Sequence, residues 1–257
     1  MNKRFLKQVV YGLLYACIWF GVIAVVVISF RPDPTCFDDV RNQNETDVDC
    51  GGVCMPCLIK RILAPQVMWE NVFPVSHSQV SVAAKIRNLN LDAGAKRFAY
   101  EFRVFGPFGI KLQSVAGESF IFPGETKYLI DVASPVDYRE VTSVSLDIRE
   151  IDWQPPERLP KRLALETRAI TAQFMSENRF VELTGFVVNS APVKLSRVRV
   201  KAVVFDRAGL PVLVSKTELN DLIPKEERAL RMIVPSQFID FRGVDFSHID
   251  VEPEVIQ

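Results

Sequence analysis

Residues 97–109 read Arg97-Phe-Ala-Tyr-Glu-Phe-Arg-Val104-Phe-Gly-Pro-Phe-Gly109, and their pattern indicates the class of fold. Up to Val104, apolar side chains occur at every second position, with charged residues between most of them. A period of two is typical of a β-strand that buries one face and exposes the other. The Gly-Pro-Phe-Gly segment is a turn signal. These residues therefore predict a strand that ends in a turn.

The neighbouring segments continue the same pattern. Alternating apolar residues occur once before these residues and twice after them: Val80, Val82, Ala84 and Ile86; Tyr128, Ile130 and Val132; and Val144, Leu146 and Ile148. Turn signals separate them at Asn88-Leu-Asn90 and Pro123-Gly-Glu125. Strands at roughly ten-residue spacing with turns between them favour an antiparallel sandwich.

The same order recurs about a hundred residues later, which indicates an internal repeat. Asn189 matches Asn88, Asp206-Arg-Ala-Gly209 matches the turn at residues 106–109, and Pro224-Lys-Glu226 matches Pro123-Gly-Glu125. The strand before the turn and the closing strand also have counterparts: Val198, Val200, Ala202 and Val204, and Val244 and Phe246.

We therefore predict a mainly β chain with two tandem immunoglobulin-like antiparallel β-sandwiches at residues 62–152 and 163–257. Each copy of about ninety residues suits a seven-strand plan. The segment between them, residues 153–162, contains Pro155, Pro156 and Pro160. Proline cannot donate a hydrogen bond within a sheet, so this segment is predicted to be a stiff linker.

An almost uncharged apolar run occupies residues 9–30. About 22 residues are enough to cross roughly 30 Å of hydrocarbon as a transmembrane helix. Lys3, Arg4 and Lys7 precede the run, whereas acidic residues soon follow it. The positive-inside rule then predicts a cytoplasmic tail at residues 1–8 and an extracytoplasmic location for the rest. The expected protein is single-pass in the cell membrane, with the lipid bilayer as its first partner.

Two rival interpretations of this run exist. A cleaved signal peptide has an apolar core of about 7–15 residues and ends at a small-x-small site, whereas this run ends Val-Ile-Ser-Phe-Arg-Pro. A lipoprotein site at Cys17 would fit Leu14 three residues earlier, but the apolar run continues well past Cys17. We favour an uncleaved anchor.

Four of the five cysteines, Cys36, Cys50, Cys54 and Cys57, lie in a cysteine-rich juxtamembrane segment at residues 31–61. Outside the cytoplasm this density favours disulfides, because a loop with few large apolar residues cannot build a core. Three pairings are possible, and the spacing selects none of them. Zinc is an alternative, since Cys54 and Cys57 have a suitable gap, although a second such pair is missing. The acidic residues raise the question of calcium, but their spacing does not match an EF-hand loop, and we assign no metal.

The pattern Cys36-x-Asp-x-x-x-Asn-x-x-Glu-Thr-x-x-Asp-Cys-Gly-Gly-x-Cys-x-x-Cys57 resembles a small cysteine-rich module of prokaryotic cell-surface and secreted proteins. In those proteins the module commonly lies beside a membrane anchor or a β-sandwich. Two glycines of the usual pattern are replaced here, because Asp38-Asp39 stands for Asp-Gly and Asn42-Gln43 for Asn-Gly. The resemblance implies no catalytic activity.

The two β copies are similar to the FxLYD and LEA14-like families of small extracytoplasmic β-sandwiches. In these families an Asn ends one strand, a Phe/Tyr-Asp-x-x-Gly turn joins the next two, and a Pro-Gly-Glu corner precedes another. The second copy departs at Pro224-Lys225, and the first departs at the turn at residues 105–109. The resemblance implies a binding or spacer domain.

Charge and motifs exclude several classes of function. Lys+Arg and Asp+Glu both number 31, so the chain has no overall field that would attract nucleic acid. The sequence contains no phosphate-binding glycine loop, no His-Glu-x-x-His and no G-x-S-x-G. Its two histidines, His77 and His248, fall in different copies, so a Ser-His-Asp set would need residues from both. We expect a protein that is not an enzyme and has no cofactor.

One predicted strand carries a cationic face. Arg197, Arg199 and Lys201 share its polar side, with Lys194 and Arg207 nearby. This face would suit an anionic polymer or headgroup, and a solvated face that discourages aggregation is the alternative. The expected function is a membrane-anchored extracytoplasmic interaction or scaffold protein of the cell envelope, with envelope proteins as partners. The alternative is binding of an envelope polysaccharide or another anionic polymer by the sandwiches, through this face or the turn at residues 105–108.

Overall fold

The structure is a computed structural model that describes residues 3–29, 35–54, 57–175, 180–236, 238 and 244–256. It divides into two compact units, Met1–Arg61 and Ile62–Gln257. The described residues of the first unit form helices α1 (Lys3–Ser29) and α2 (Cys57–Lys60). The second unit contains strands and short 3-10 turns.

Helix α1 is long and apolar enough to cross a membrane, over Lys7–Val26. It begins before the predicted span, so the helix includes Arg4 and Lys7 of the predicted tail. The sequence from residue 3 to residue 9 contains no Gly or Pro that would stop a helix, and Lys and Arg are good helix formers. The end of the predicted span at residue 30, residues 31–34, and residues 1 and 2 lie outside the described residues.

The second unit is mainly β, as predicted. Its first half contains β1 (Gln66–Ser76), β2 (Gln79–Arg87), β3 (Gly94–Phe105), β4 (Lys111–Ile121), β5 (Thr126–Ser134) and β6 (Ser143–Gln154). Its second half contains β7 (Leu165–Met175), β8 (Phe180–Asn189), β9 (Leu195–Asp206), β10 (Pro211–Leu222), β11 (Glu227–Pro235) and β12 (Val244–Val255). Three 3-10 turns lie at Pro107–Gly109, Tyr138–Glu140 and Pro156–Arg158.

Each half forms two three-stranded antiparallel sheets with the same strand order. The first half has sheets β1-β2-β5 and β4-β3-β6, and the second half has β11-β8-β7 and β10-β9-β12. The first strand of one half therefore corresponds to the first strand of the other, and so on through the sixth. We call the halves the first and second sandwich.

The predicted seven strands per copy are wrong, because the described residues of each sandwich contain six. After β6 the first sandwich continues through Pro155, Pro156 and Pro160 to β7. Prolines lack the amide hydrogen that a seventh strand would need for pairing.

Each sandwich has its own apolar core, and the cores follow the predicted alternation. In the first sandwich the buried residues include Val80, Val82, Ala84 and Ile86 of β2 and Phe98, Phe102 and Val104 of β3. In the second they include Val198, Val200, Ala202 and Val204 of β9. The period of two in the sequence therefore corresponds to side chains that point between the two sheets.

A buried asparagine ends the second strand of each sandwich. The Asn88 side chain donates to the carbonyls of Ala93 and Phe122 at 2.7 and 3.0 Å. The Asn189 side chain donates to the carbonyls of Val193 and Leu222 at 2.9 and 3.0 Å. Both residues are fully buried. Each asparagine therefore ties the loop after its own strand to the end of the fourth strand.

The Pro-x-Glu corners also match. The backbone amides of Asn88 and Asn189 donate to the carbonyls of Glu125 and Glu226, both at 2.9 Å. The glutamate side chains close their own turns, because Glu125 accepts the amide of Phe122 at 2.7 Å and Glu226 accepts that of Ile223 at 2.8 Å. The two sandwiches therefore repeat one set of bonds at this end.

Candidate functional site

The two sandwiches pack against each other through a shared apolar cluster. Strands β2, β5 and β9 send alternate residues into their own core and into this contact. The buried members are Phe73, Ala83, Tyr128 and Ile130 from the first sandwich and Val203, Phe205 and Val214 from the second. Trp69 and Val132 pack against them and are half-buried. The contact is therefore a second apolar layer outside both cores.

Two lysines are buried beside this layer and are paired with glutamates of β12. Lys127 Nζ lies 2.7 Å from Glu254 Oε1 and donates to the carbonyl of Phe120 at 2.7 Å. Lys201 Nζ lies 2.5 Å from Glu252 Oε1 and 2.7 Å from Glu254 Oε2. The lysine side chains are only 2% and 3% exposed. Glu254 thus joins a lysine of each sandwich.

Further polar contacts cross between the sandwiches. Lys201 donates to the carbonyl of Tyr128 at 2.8 Å, and the Tyr128 amide donates to Glu252 at 3.1 Å. The Tyr128 hydroxyl donates to Asp250. At the other end of β5, Lys216 Nζ lies 2.8 Å from Asp131 Oδ1. We call Lys127, Tyr128, Lys201, Glu252 and Glu254 the inter-sandwich network.

The network sets the protonation of its members. Burial alone would raise the pKa of Glu254, but the nearby charges of Lys201 and Lys127 lower it below its usual value. Burial lowers the pKa of Lys127 despite the attraction of Glu254. Burial also opposes the charge of Lys201, yet Glu252 and Glu254 raise its pKa overall. The network therefore favours the ionised form of Glu254 and the protonated form of Lys201, whereas burial works against the charge of Lys127.

A cleft of 810 Å³ opens at the side of this contact. Its walls come from the end of β4, the start of β5, the segment before β7, and β12. At its rim Arg162 pairs with Glu125 and lies 5.1 Å from the centroid of the Phe122 ring. The described lining residues include no Ser, Cys or His, and the buried charges at the base belong to the inter-sandwich network. The cleft therefore has paired charges at its base, and its described lining contains no Ser, Cys or His that could act as a nucleophile.

The five residues of the predicted cationic face do not form one surface. Lys201 is buried in the inter-sandwich network, Arg199 pairs with Glu218 at 3.0 Å, and Lys194 pairs with Asp221 at 2.6 Å. Arg197 and Arg207 are exposed. They stand ten positions apart along an extended strand and the turn after it, on the order of 30 Å at about 3.4 Å per residue. Binding of an anionic ligand by the four outer residues stays a prediction.

The four cysteines after α1 form two disulfides, Cys36–Cys54 and Cys50–Cys57. This is one of the three pairings that the spacing left open. Glu45 Oε1 lies 3.1 Å from the Cys54 sulfur, so Cys36, Glu45 and Cys54 form a compact group. Zinc would need thiolates, and the sulfurs of this group are bonded to each other. Cys17 is a free cysteine on the exposed surface of α1.

The acidic residues of this segment hold its turns. Glu45 accepts the amides of Asn42 and Asp49 at 3.0 and 3.2 Å. Asp49 accepts the amides of Asp38 and Asp39 at 2.9 and 3.0 Å. These carboxylates therefore have structural partners within the loop.

Two residues of this segment have a backbone conformation that glycine adopts most easily. Asp39 has a φ of 56° and Gln43 a φ of 47°, both in the left-handed region. The tight turns therefore form in the absence of glycine, and Asp39 is held there by the Asp49 carboxylate.

Most of the inter-sandwich network could not be predicted from the sequence. Its signal was present as isolated charges in otherwise apolar strands: Lys127 before Tyr-Leu-Ile, Lys201 between Val200 and Ala202, and Glu252 and Glu254 around Pro253. A charged residue at such a position is either exposed to solvent or paired with a buried partner. The sequence of a single strand does not distinguish these two cases.

No family model matches this sequence, and no curated protein sequence matches it. Among solved structures, the chain resembles red sea bream transglutaminase at 14% identity and a TM-score of 0.24, over 77% of this chain and 32% of that one. It also resembles Bacteroides uniformis β-glucuronidase at 11% identity and a TM-score of 0.20, over 62% of this chain and 22% of that one. The chain thus spans about a third or less of either enzyme, and likeness at this level carries no argument about function.

Proposed function

We propose that this chain is a membrane-anchored, extracytoplasmic, non-catalytic interaction or scaffold protein of the cell envelope. In this role α1 anchors the chain, and the two sandwiches form one arm that presents surfaces to envelope proteins. The observation that carries the proposal is the inter-sandwich network, which joins Lys127 and Tyr128 to Lys201, Glu252 and Glu254.

The network supports a scaffold because it fixes an orientation. Buried charges that lose a partner are strongly destabilising, so few other arrangements of the two sandwiches are accessible. The apolar cluster at the same contact excludes water and strengthens the ionic contacts. An arm with a fixed angle between its domains suits a spacer or a presenting surface.

The same groups argue for a role without catalysis. The buried ionisable side chains of the contact are matched to one another, and an acid or base catalyst needs a group that can exchange its proton with a substrate. A catalytic role for Glu254 would require breaking its pairs with both lysines.

The anchor and its direction rest on the N-terminal residues. Lys7–Val26 is long and apolar enough to span a bilayer, and Lys3, Arg4 and Lys7 lie at its N-terminal end. The positive-inside rule places that end in the cytoplasm. Two disulfides in the segment after the helix suit an oxidising compartment.

The direction is tested with cells stripped of their outer wall. We expect an added protease to remove the sandwiches and to leave a short membrane stub. A C-terminal tag that stays fully protected in intact cells, but is cleaved after lysis, would contradict the extracytoplasmic location.

The scaffold role is tested by mild detergent extraction of the tagged full chain. We expect defined envelope proteins to co-purify in stoichiometric amounts with the full chain, but not with residues 1–61 alone. Equal recovery from both proteins would contradict the role, because the retained material would then depend only on the membrane segment.

A further inference from the structure

Asn44, Glu45 and Thr46 form an exposed turn in the segment after α1. Asn44 has a φ of 62°, a left-handed conformation that asparagine tolerates better than most residues. Asn44 and Thr46 are exposed, whereas Glu45 between them is only 4% exposed. The Glu45 carboxylate accepts the amides of Asn42 and Asp49 at 3.0 and 3.2 Å. The turn therefore directs its middle side chain inward and leaves the two flanking residues at the surface.

These three residues match the acceptor pattern for N-linked glycosylation, Asn-x-Ser/Thr with no proline in the middle. Of the asparagines in the sequence, only Asn44 is followed two positions later by Ser or Thr. A turn by itself explains an asparagine at position 44, but it does not require a hydroxyl group at position 46. Within the part of the chain that the structure describes, the side chains of Asn44 and Thr46 make no hydrogen bond. Both groups are therefore available to an enzyme.

Two glycines hold this turn in place. A Cβ on Gly51 would lie 2.3 Å from Thr46 Oγ1, and a Cβ on Gly52 would lie 2.3 Å from the Asn44 carbonyl oxygen. Any larger residue at either position would displace the turn. The amide of Thr46 also donates to the carbonyl of Cys50 at 3.0 Å, and Cys50 is fixed by a disulfide. The backbone of the acceptor pattern is therefore held on its inner side, away from the exposed Asn44 side chain.

The turn lies close to the membrane span along the chain. Helix α1 ends at Ser29, and the chain from Ser29 to Asn44 covers at most about 50 Å even when it is fully extended. Asn44 therefore stays near whichever surface of the bilayer this segment faces. A membrane-bound enzyme and a lipid-linked sugar donor at that surface are within its reach.

We propose that Asn44 is a site of N-linked glycosylation, with a lipid-linked oligosaccharide as the sugar donor. In this step a membrane glycosyltransferase brings the Asn44 amide nitrogen to the anomeric carbon of the oligosaccharide. A nitrogen–carbon bond forms, the carbon–oxygen bond to the lipid diphosphate breaks, and the proton lost by the amide nitrogen balances the charge of the leaving diphosphate. This inference rests on the proposed extracytoplasmic location, because this acceptor pattern is used in secreted and surface-exposed chains.

The first test examines the Asn44 side chain directly. The full chain is purified from its native membrane and digested, and the peptide that contains Asn44 is analysed by mass spectrometry. We expect fragmentation of this peptide to show sugar residues attached to the Asn44 side chain. A peptide that carries only the mass of its amino acids would overturn the inference.

The second test asks whether the modification depends on the acceptor pattern. Asn44→Gln removes the acceptor nitrogen and Thr46→Ala removes the hydroxyl group, whereas Thr46→Ser keeps it. We expect the mass of the sugar to be lost from the first two variants and retained in Thr46→Ser. Asn71→Gln changes an exposed asparagine outside any such pattern and should leave the sugar in place. Retention of the sugar in Thr46→Ala, or its loss from Thr46→Ser, would overturn the inference.

A control shows that the variants keep the fold of this segment. Glutamine suits the turn, because Gln43 already adopts a φ of 47° beside Asn44. An alkylating reagent applied without reduction should label only Cys17, since the other four cysteines form disulfides. A sugar lost from a variant that passes this control is lost through the pattern and not through misfolding.

The outcome is separable from that of the proposed function. If added protease removes the sandwiches from cells stripped of their outer wall but Asn44 carries no sugar, the inference fails and the extracytoplasmic role stands. If the sandwiches are fully protected and Asn44 carries no sugar, the proposed location and the inference both fail.

Discussion

The same face of the two sandwiches has two different environments. On the first sandwich Glu101 of β3 pairs with Arg103 at 2.9 Å and with Arg149 at 2.6 Å, and Arg149 is half exposed. The corresponding strand β9 of the second sandwich carries Lys201, which is buried against Glu252 and Glu254. Strand order, pairing and turns are alike. The difference comes from what covers the face: solvent in one case and strand β5 of the first sandwich in the other.

This difference shows that a polar side chain on a strand does not determine its own burial. A solvated ion pair is worth little, because water screens it and the side chains lose freedom. A buried network of lysines and glutamates depends fully on its partners, since each charge lost leaves another uncompensated. The two faces therefore should respond very differently to the same kind of substitution.

The largest expected effect is at Lys201. Lys201→Met leaves Glu252 and Glu254 short of a buried cation and should lower the free energy of unfolding by about 3–5 kcal/mol. Arg199→Met, two residues earlier on the same strand, and Arg149→Met on the first sandwich should each cost less than about 1 kcal/mol. Urea unfolding of the three variants measures the difference. Similar losses in all three would mean that the network is no more buried than a surface pair.

The asparagines test what the two sandwiches share. Asn88→Ala and Asn189→Ala each leave buried backbone carbonyls without a donor and should cost about 3 kcal/mol. The two losses should be similar, because each asparagine ties the same loop to the same strand end. Asn220→Ala, at an exposed position of β10, should change stability by less than about 0.5 kcal/mol. If only one of the two substitutions lowered stability, the two asparagines would not have equivalent roles in the two sandwiches.

Acid should act on the buried face more than on the solvated one. The folded pKa of Glu254 is lowered, so its ionised form stabilises the fold above its unfolded pKa of about 4.3. That contribution is lost as pH falls through the folded pKa. The stability gap between the unaltered protein and Glu254→Gln should therefore be largest near pH 7 and should narrow below about pH 4. Denaturation curves between these pH values provide the check, and a gap independent of pH would refute the pairing of Glu254.

The smallest expected effect is at the two corners. Gly124 has a φ of 66° and Lys225 a φ of 63°, so the second sandwich places a lysine where the first has glycine. Lys225→Gly should stabilise by about 0.5–1 kcal/mol, since glycine enters the left-handed region without a steric penalty. Gly124→Ala should cost about 1 kcal/mol, because alanine disfavours this positive φ, whereas the contact of its added Cβ at 3.2 Å is with the end of Leu91, which can move. Thermal melts of both variants measure the two changes in stability. Changes of the same sign would contradict the shared corner geometry.

Much of the fold could be predicted because its signals are local. Alternation in β2, β3 and β9, the asparagines and the Pro-x-Glu corners lie within short segments, and their recurrence revealed the repeat. Strands β1, β4, β7, β10 and β11, which lie at sheet edges, and the central strand β8 were not assigned individually. The left-handed backbone of Asp39 depends on a hydrogen bond to Asp49, ten positions away, and could not be predicted from residue type.

The candidate site was the least predictable part. Lys201 was assigned to a solvated cationic face because its strand alternates regularly, and only the packing of the first sandwich reveals its burial. Lys127 and Glu254 are more than a hundred positions apart in the sequence, so no local pattern connects them. The disulfide pairing was open for a related reason, since the spacing of four cysteines allows three pairings.

We infer that the two sandwiches act as one body held by the inter-sandwich network. Spin labels at Lys96→Cys in the first sandwich and Glu227→Cys in the second, in a Cys17→Ser background, allow the distance between them to be measured by pulsed electron resonance. Both positions are exposed strand residues. We predict a single narrow distance distribution that becomes broad when Lys201→Met is added. A broad distribution in the protein with an intact Lys201 would contradict the claim.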